Sequence, residues 1–285
     1  MRYKGRRQSS NVEDRRGRSS SSGGIGIPLL LGGFKGKWLI LIVLALLLFK
    51  GFGGIGEVLG TDSPVQSSAQ EEELKEFVSV VLAETEDVWN EVFRKEGGTY
   101  REPGLVLYSG TTTSGCGVAS SGTGPFYCPA DQKVYLDLSF FEELRVKFQA
   151  PGDFAMAYVI AHEVGHHVQN LTGIMDQMDQ YRRTHSETEY NRFSVRVELQ
   201  ADYLAGVFAS FIQKKGILEV GDIEEAMKAA SQIGDDRLQE LVRGEVEPDL
   251  FTHGTSEHRM RWFMKGYESG DLKSGDTFSI PYENL

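Results

Sequence analysis

Two histidines four residues apart in an otherwise apolar helix restrict this chain more than any other feature. His162-Glu163-Val164-Gly165-His166 lies in a stretch, Asp153 to Leu171, whose apolar positions recur with the period of an amphipathic α-helix. Positions i and i+4 share one helix face, so both imidazoles can converge on a single metal ion. Glu163 then sits beside the open coordination position, where a carboxylate can take a proton from a water. The five residues alone also fit a polar helix face with hydrogen-bonded histidines, so the rest of the chain has to supply a third ligand.

A catalytic zinc needs three protein ligands and one exchangeable position. Downstream, Val197-Glu198-Leu199-Gln200-Ala201-Asp202 offers Glu198 as that ligand. Asp202, four residues on and on the same face, can accept the second ring N–H of a ligating histidine and fix its tautomer. Two solvated charges on a surface helix are the alternative. The apolar neighbours Val195, Leu199, Tyr203, Val207 and Phe208 argue for a buried helix, in which carboxylates need partners. Glu187 and Glu189 are competing candidates, but in Ser186-Glu187-Thr188-Glu189 helix capping explains them without metal. A third histidine six residues after His166 would fit a different zinc site; that position is Thr172. Further on, His253 precedes a helix start at Thr255 or Ser256 and Arg259 lies inside that helix. Either could be structural, or could donate to an oxyanion opposite the metal.

In this order, His162–His166, Glu198-x-x-x-Asp202 and His253 with Arg259 resemble the gluzincin peptidases, including the CAAX-prenyl endopeptidase group. Closer still, Cys116-Gly117, Gly124-Pro125-Phe126-Tyr127-Cys128-Pro129, Val134-Tyr135-Leu136-Asp137, the extended His162–Gln169 motif and Phe251-Thr252-His253-Gly254-Thr255-Ser256 are similar to a family of bacterial neutral zinc metallopeptidases. The resemblance spans roughly residues 66–275. It implies a zincin-like domain, Zn²⁺ on His162, His166 and Glu198, and a peptide or protein substrate. The chain has few of the hydrophobic spans of the prenyl endopeptidases, so their intramembrane chamber is not implied.

The N-terminal region differs in kind. Residues 1–37 hold nine Lys or Arg against two acidic residues, with a Ser/Gly-rich stretch from Ser19 to Gly24. Such a composition predicts a disordered basic leader. Trp38 to Phe49 is an unbroken apolar run of twelve, followed by Lys50 and a Gly-rich stretch to Gly56. Twelve is short against the roughly 20 residues of a helical span. A cleaved signal, a buried helix and a signal anchor compete. The anchor is preferred, over 38–56 with Lys37 and Lys50 snorkelling, then a linker at 57–67 and the metallopeptidase domain at 68–285. The basic excess then puts the N-terminus in the cytoplasm and the domain outside a cell membrane crossed once. The leader carries a net +7 and the remainder −18, which gives the folded part no attraction for nucleic acid.

Cys116 and Cys128 are the two cysteines. In a reducing compartment they would be free thiols; under the export reading a disulfide closing the glycine-rich loop is preferred. The periodicities predict a mainly helical α+β domain with a small sheet. Helices are expected from Ser68 to about Arg94, from Ser139, at 153–171, 186–214, 222–232 and 256–267, with strands at 104–108 and 132–138. The alternating Val134, Tyr135 and Leu136 suggest an edge strand that pairs with an extended substrate. His167, one position off His166, should point away from the metal. The expected activity is zinc-dependent peptide hydrolysis with Glu163 as base and His253 and Arg259 at the oxyanion. A non-catalytic, zinc-holding envelope protein is the alternative, and oligomeric state is left open.

Overall fold

The computed structural model describes residues 1–17 and 68–285. Among these described residues, eight α-helices and six strands build a mainly helical α+β domain. In chain order these are β1 (Val12–Asp14), α1 (Ser68–Lys95), β2 (Gly104–Tyr108), β3 (Thr111–Ser114), β4 (Gly117–Ser120), β5 (Phe126–Cys128) and β6 (Lys133–Asp137). They are followed by α2 (Ser139–Val146), α3 (Asp153–Leu171), α4 (Ile174–Thr184), α5 (Glu187–Lys214), α6 (Asp222–Gln232), α7 (Asp235–Arg243) and α8 (Ser256–Ser269).

The sheet runs β1-β2-β6-β5, with β1, β2 and β6 parallel and β5 antiparallel to β6. β3 and β4 form a separate hairpin. The Cys116–Cys128 disulfide joins the turn of that hairpin to the end of β5. One helical layer packs α3 between α1 and α5, and α5 lies against α8. The residues of α1 that repeat at helical spacing, Phe77, Val81, Val88, Trp89 and Val92, are buried in the main core with Leu105, Leu136, Phe154, Leu199 and Phe208. Each such side chain contributes about 1.5–3 kcal/mol on removal from water.

Two expectations are corrected here. β6 is an inner strand, hydrogen-bonded on one side to β2 and on the other to β5. Val134, Tyr135 and Leu136 are therefore buried and have no free backbone edge for a substrate; the sheet edge on that side is β5. Residues 1–17 are ordered rather than a disordered leader: β1 is the other edge of the sheet, and Met1 is buried in the core. Composition misjudged them because their burial is supplied by residues far away in the chain. Residues 18–37, the apolar run and the expected anchor at 38–56, and the linker at 57–67 lie outside the described residues. Among the described residues no helix is long and apolar enough to cross a membrane.

α5 and α8 touch backbone to backbone, and glycine makes this possible. A Cβ at Gly206 would lie 2.0 Å from the Phe263 carbonyl oxygen, and one at Gly266 would lie 2.0 Å from that of Tyr203. Neither neighbour is a side-chain tip that can swing aside. Gly206→Ala should therefore force the two helices apart and destabilise the domain by about 1–3 kcal/mol or more, read as a lowered denaturant midpoint. An unchanged midpoint would mean that the helices are not in this close register.

Candidate metal centre

α3 presents His162, Glu163 and His166 on one face, and α5 crosses it with Glu198 and Asp202. The crossing is tight at Gly165, where an added Cβ would stand 3.1 Å from the Ala201 carbonyl oxygen. His162 Nε2 lies 3.2 Å from one Glu198 carboxylate oxygen and His166 Nε2 lies 3.6 Å from the other. One donor atom from each of the three residues falls within 4.8 Å of the others. A tetrahedral zinc with bonds of about 2.0–2.1 Å needs donors roughly 3.4 Å apart, so this set fits the ion. Two imidazoles and one carboxylate also match its ligand preference and leave a fourth position.

Each histidine is aimed by a hydrogen bond at its other nitrogen. His162 Nδ1–H donates to Asp202 Oδ1 at 2.8 Å, and His166 Nδ1–H donates to Gln169 Oε1 at 2.9 Å. Both Nε2 atoms thereby face Glu198. Gln169 is held in turn through its amide, which donates to the Val197 carbonyl at 2.7 Å and to Gln200 at 3.1 Å. Asp202, fully buried, also accepts from the Tyr158 hydroxyl at 2.5 Å and from Arg259, Nε at 2.7 Å and Nη2 at 2.9 Å.

The charges follow from this arrangement. Burial would raise the Asp202 pKa, but Arg259 and His162 outweigh it and hold the carboxyl down at about 2. Burial likewise opposes a charge on His162, yet Asp202 and Glu198 push the metal-free imidazole up to about 10. Glu198 is drawn well below the usual carboxylate range, against its own burial, by the histidines His166, His253 and His162. A cation entering the site thus replaces a proton on His162 and meets a carboxylate that is already ionised.

Glu163 is buried at the wall of a cleft of about 310 Å³ that reaches His162, His166 and Glu198. His253 and Arg259 also line this cleft. His253 is fixed by Asp235, the first residue of α7. One Asp235 oxygen accepts the backbone N–H groups of Thr252, His253 and Gly254 at 2.6, 2.6 and 3.0 Å. The other accepts His253 Nδ1–H at 3.2 Å. Burial would lower the His253 pKa, but Asp235 and Glu198 raise it overall. Arg259, expected at the oxyanion, has its guanidinium turned to Asp202. Its Nε and Nη2 are spent on Asp202, Nη2 also reaches Tyr158, and Nη1 donates to the Ile233 carbonyl at 3.3 Å.

The competing carboxylates stay apart from the centre. Glu189 accepts the Ser186 N–H at 2.9 Å in a capping box that opens α5, and Glu187 lies in the same first turn. His167 is fully buried on the far side of α3, bonded to the Tyr127 hydroxyl at 2.9 Å and to the Arg101 carbonyl at 2.6 Å. Sequence reasoning missed Tyr158, Gln169 and Asp235. Tyr158 and Gln169 were findable, since they stand four before His162 and three after His166 on the same helix. Nothing local marks Asp235, which reaches His253 through the fold.

The profile of a family described as "Putative neutral zinc metallopeptidase" matches residues 1–278. "Uncharacterized protein YpfJ" of Escherichia coli (strain K12) is 50% identical over 98% of this chain and 99% of its own. "Uncharacterized protein Mb2605" of Mycobacterium bovis is 42% identical over 63% of this chain and 64% of its own. No solved structure gives a significant match.

Elemental analysis can test the ligand set. Glu198→Ala should lose most of its zinc, whereas Glu187→Ala and Glu189→Ala should keep it. Asp202→Asn should weaken zinc affinity by about 10- to 100-fold, as loss of an orienting partner does. Full zinc occupancy in Glu198→Ala would remove it as the third ligand.

Proposed function

The chain belongs to the neutral zinc metallopeptidase family, and from that premise we propose that it is a zinc-dependent endopeptidase of the two-histidine, one-glutamate type. The observation that carries this reading is the convergence of His162, His166 and Glu198 at one end of an open cleft, with Glu163 beside them. A purely structural zinc site closes its fourth position and needs no such carboxylate.

Zinc held by these three residues would supply Lewis acidity, acidifying a water and polarising the scissile carbonyl. Glu163 takes the proton from the attacking water and delivers it to the departing amine. His253, protonated at Nδ1 toward Asp235 and with its pKa raised, is suited to donate from Nε2 to the carbonyl oxygen as negative charge develops there. Asp202, clamped by Arg259 and Tyr158, keeps His162 in the tautomer and orientation that binding requires. The cleft walls include Phe140, Phe148, Val159, Ile233 and Leu238, which suit a large apolar side chain next to the scissile bond. Gly124, Pro125 and Phe126 also line it, which makes the β5 edge the place for an extended peptide to pair.

A digest of a peptide library by the full-length protein, with and without chelator, tests the activity. Cleavage should favour large apolar residues at one side of the bond and should stop on zinc removal. Glu163→Gln should lose hydrolysis while keeping zinc and fold. Turnover that survives in Glu163→Gln would assign the base elsewhere or reveal a contaminating protease.

The oxyanion role has a pH signature. Because Asp235 helps raise the His253 pKa, activity that needs protonated His253 is present at lower pH and lost as pH rises through that value. Asp235→Asn should lower the pKa and move the alkaline limb of the kcat/KM profile to lower pH. His253→Ala should cut kcat and kcat/KM together by about 10²–10³-fold with zinc retained. A wild-type kcat in His253→Ala would return the residue to a structural role.

A further inference from the structure

Residues 1–17 are bound to the domain by interactions that cannot be made across a membrane. Their backbone joins it at four places: Arg2 N–H to the Ile217 carbonyl at 2.8 Å, Ser9 N–H to Ser79 at 2.9 Å, Arg15 N–H to Leu107 at 2.7 Å, and Leu105 N–H to Asn11 at 2.9 Å. Between these, β1 pairs residue by residue with β2.

The side chains show that the domain needs the segment. Glu84 and Glu86 on α1 are only 3% and 2% exposed. Arg6 Nε donates to Glu84 at 2.8 Å, and Arg7 Nη1 donates to Glu86 at 2.8 Å. Ser9 Oγ and Asn11 Nδ2 complete the shell around Glu86. Without residues 1–17, Glu86 would lose all three of these partners, and Glu84 would keep Lys215 at 3.1 Å. Buried carboxylates stripped of partners are strongly destabilising. All six basic side chains of this segment, from Arg2 to Arg16, have a carboxylate within 4 Å. Their charge therefore compensates acidic groups of the folded protein, and its weight as a topological signal falls accordingly.

The far end of the segment is pinned where the chain resumes. Arg16 donates to the Glu71 carbonyl at 3.1 Å and to the Glu72 carboxylate at 2.8 Å, both in the first turns of α1. Lys75 reaches Asp14 at 3.1 Å. Residues 14–16 thus lie against the first turns of α1.

We propose that residues 1–17 are an integral edge of the metallopeptidase domain, so that they and the metal centre lie on the same side of any membrane the protein meets. This replaces the single crossing expected from the apolar run at 38–49, which would hold the two apart by about 30 Å of hydrocarbon. The inference does not depend on catalysis.

Two measurements on the full-length protein test it together. In intact cells, Ser10→Cys and Lys273→Cys, both at exposed positions, are treated separately with a membrane-impermeant maleimide, with lysed cells as control. The protein without either substitution, whose native cysteines are bonded to each other in the structure, sets the background labelling. Both variants should react, or both should be protected until lysis; reaction of one alone overturns the proposal. In purified protein the Arg15 amide, which donates to the Leu107 carbonyl of β2, should exchange with deuterium on the order of a thousandfold or more slower than unstructured chain. Exchange at the unstructured rate would show that the segment is not part of the domain and would equally overturn it.

Discussion

The Asp202 carboxylate is the point on which the site and much of the helical packing depend. It sits on α5 and accepts from His162 and Tyr158 on α3 and from Arg259 on α8, joining three helices through one buried anion. A lone carboxylate in that position could not stay ionised; the two-pronged Arg259 contact holds it charged, and the charge in turn fixes the His162 tautomer. Removing one partner of such a buried pair costs about 3–5 kcal/mol, because the other is left uncompensated. Arg259 thus acts on His162 through Asp202. The glycine crossing of α5 and α8 is what brings its guanidinium within reach.

Much of this was legible in the chain because helix periodicity is a local property. His162 and His166 share a face by arithmetic, and so do Glu198 and Asp202; apolar neighbours marked both helices as buried. The bounds of the metal helix, 153–171, were read correctly for the same reason. What local pattern could not show was which strand lies in the middle. Val134-Tyr135-Leu136 alternates with a lysine and an aspartate at its ends, as an edge strand would, but its order in the sheet depends on β5 folding back against it after the disulfide loop. Asp235 was invisible for a related reason. It caps nothing nearby in sequence and acts on three backbone N–H groups 17–19 residues away.

The N-terminal segment shows how a charge count misleads when partners are remote. Six cations in seventeen residues have the composition of a disordered tail, since they offer almost nothing to bury. Glu84 and Glu86 look, on their own helix, like ordinary solvated positions. Each half of the arrangement is unstable as read; together, Arg6 and Arg7 on two glutamates about eighty positions away make a buried, hydrogen-bonded set. The family profile begins at residue 1, which agrees with a segment that belongs to the domain.

The two glutamates and two outer histidine contacts of the centre separate by environment rather than by residue type. Glu198 faces histidines and is held ionised by them, whereas Glu163 lies at the cleft wall beside them. His162 leans on a carboxylate and His166 on an amide, so different partners orient the two imidazoles although both present Nε2 to Glu198. The carboxylate side is anchored to α8 and the amide side to α5 through Val197 and Gln200. A shift of α8 would therefore act on the His162 side through Arg259 and Asp202, whereas a shift of α5, which carries Asp202, Glu198, Val197 and Gln200, would disturb both rings. The site therefore depends on tight packing at the α3–α5 and α5–α8 contacts, where Gly165, Gly206 and Gly266 allow close approach.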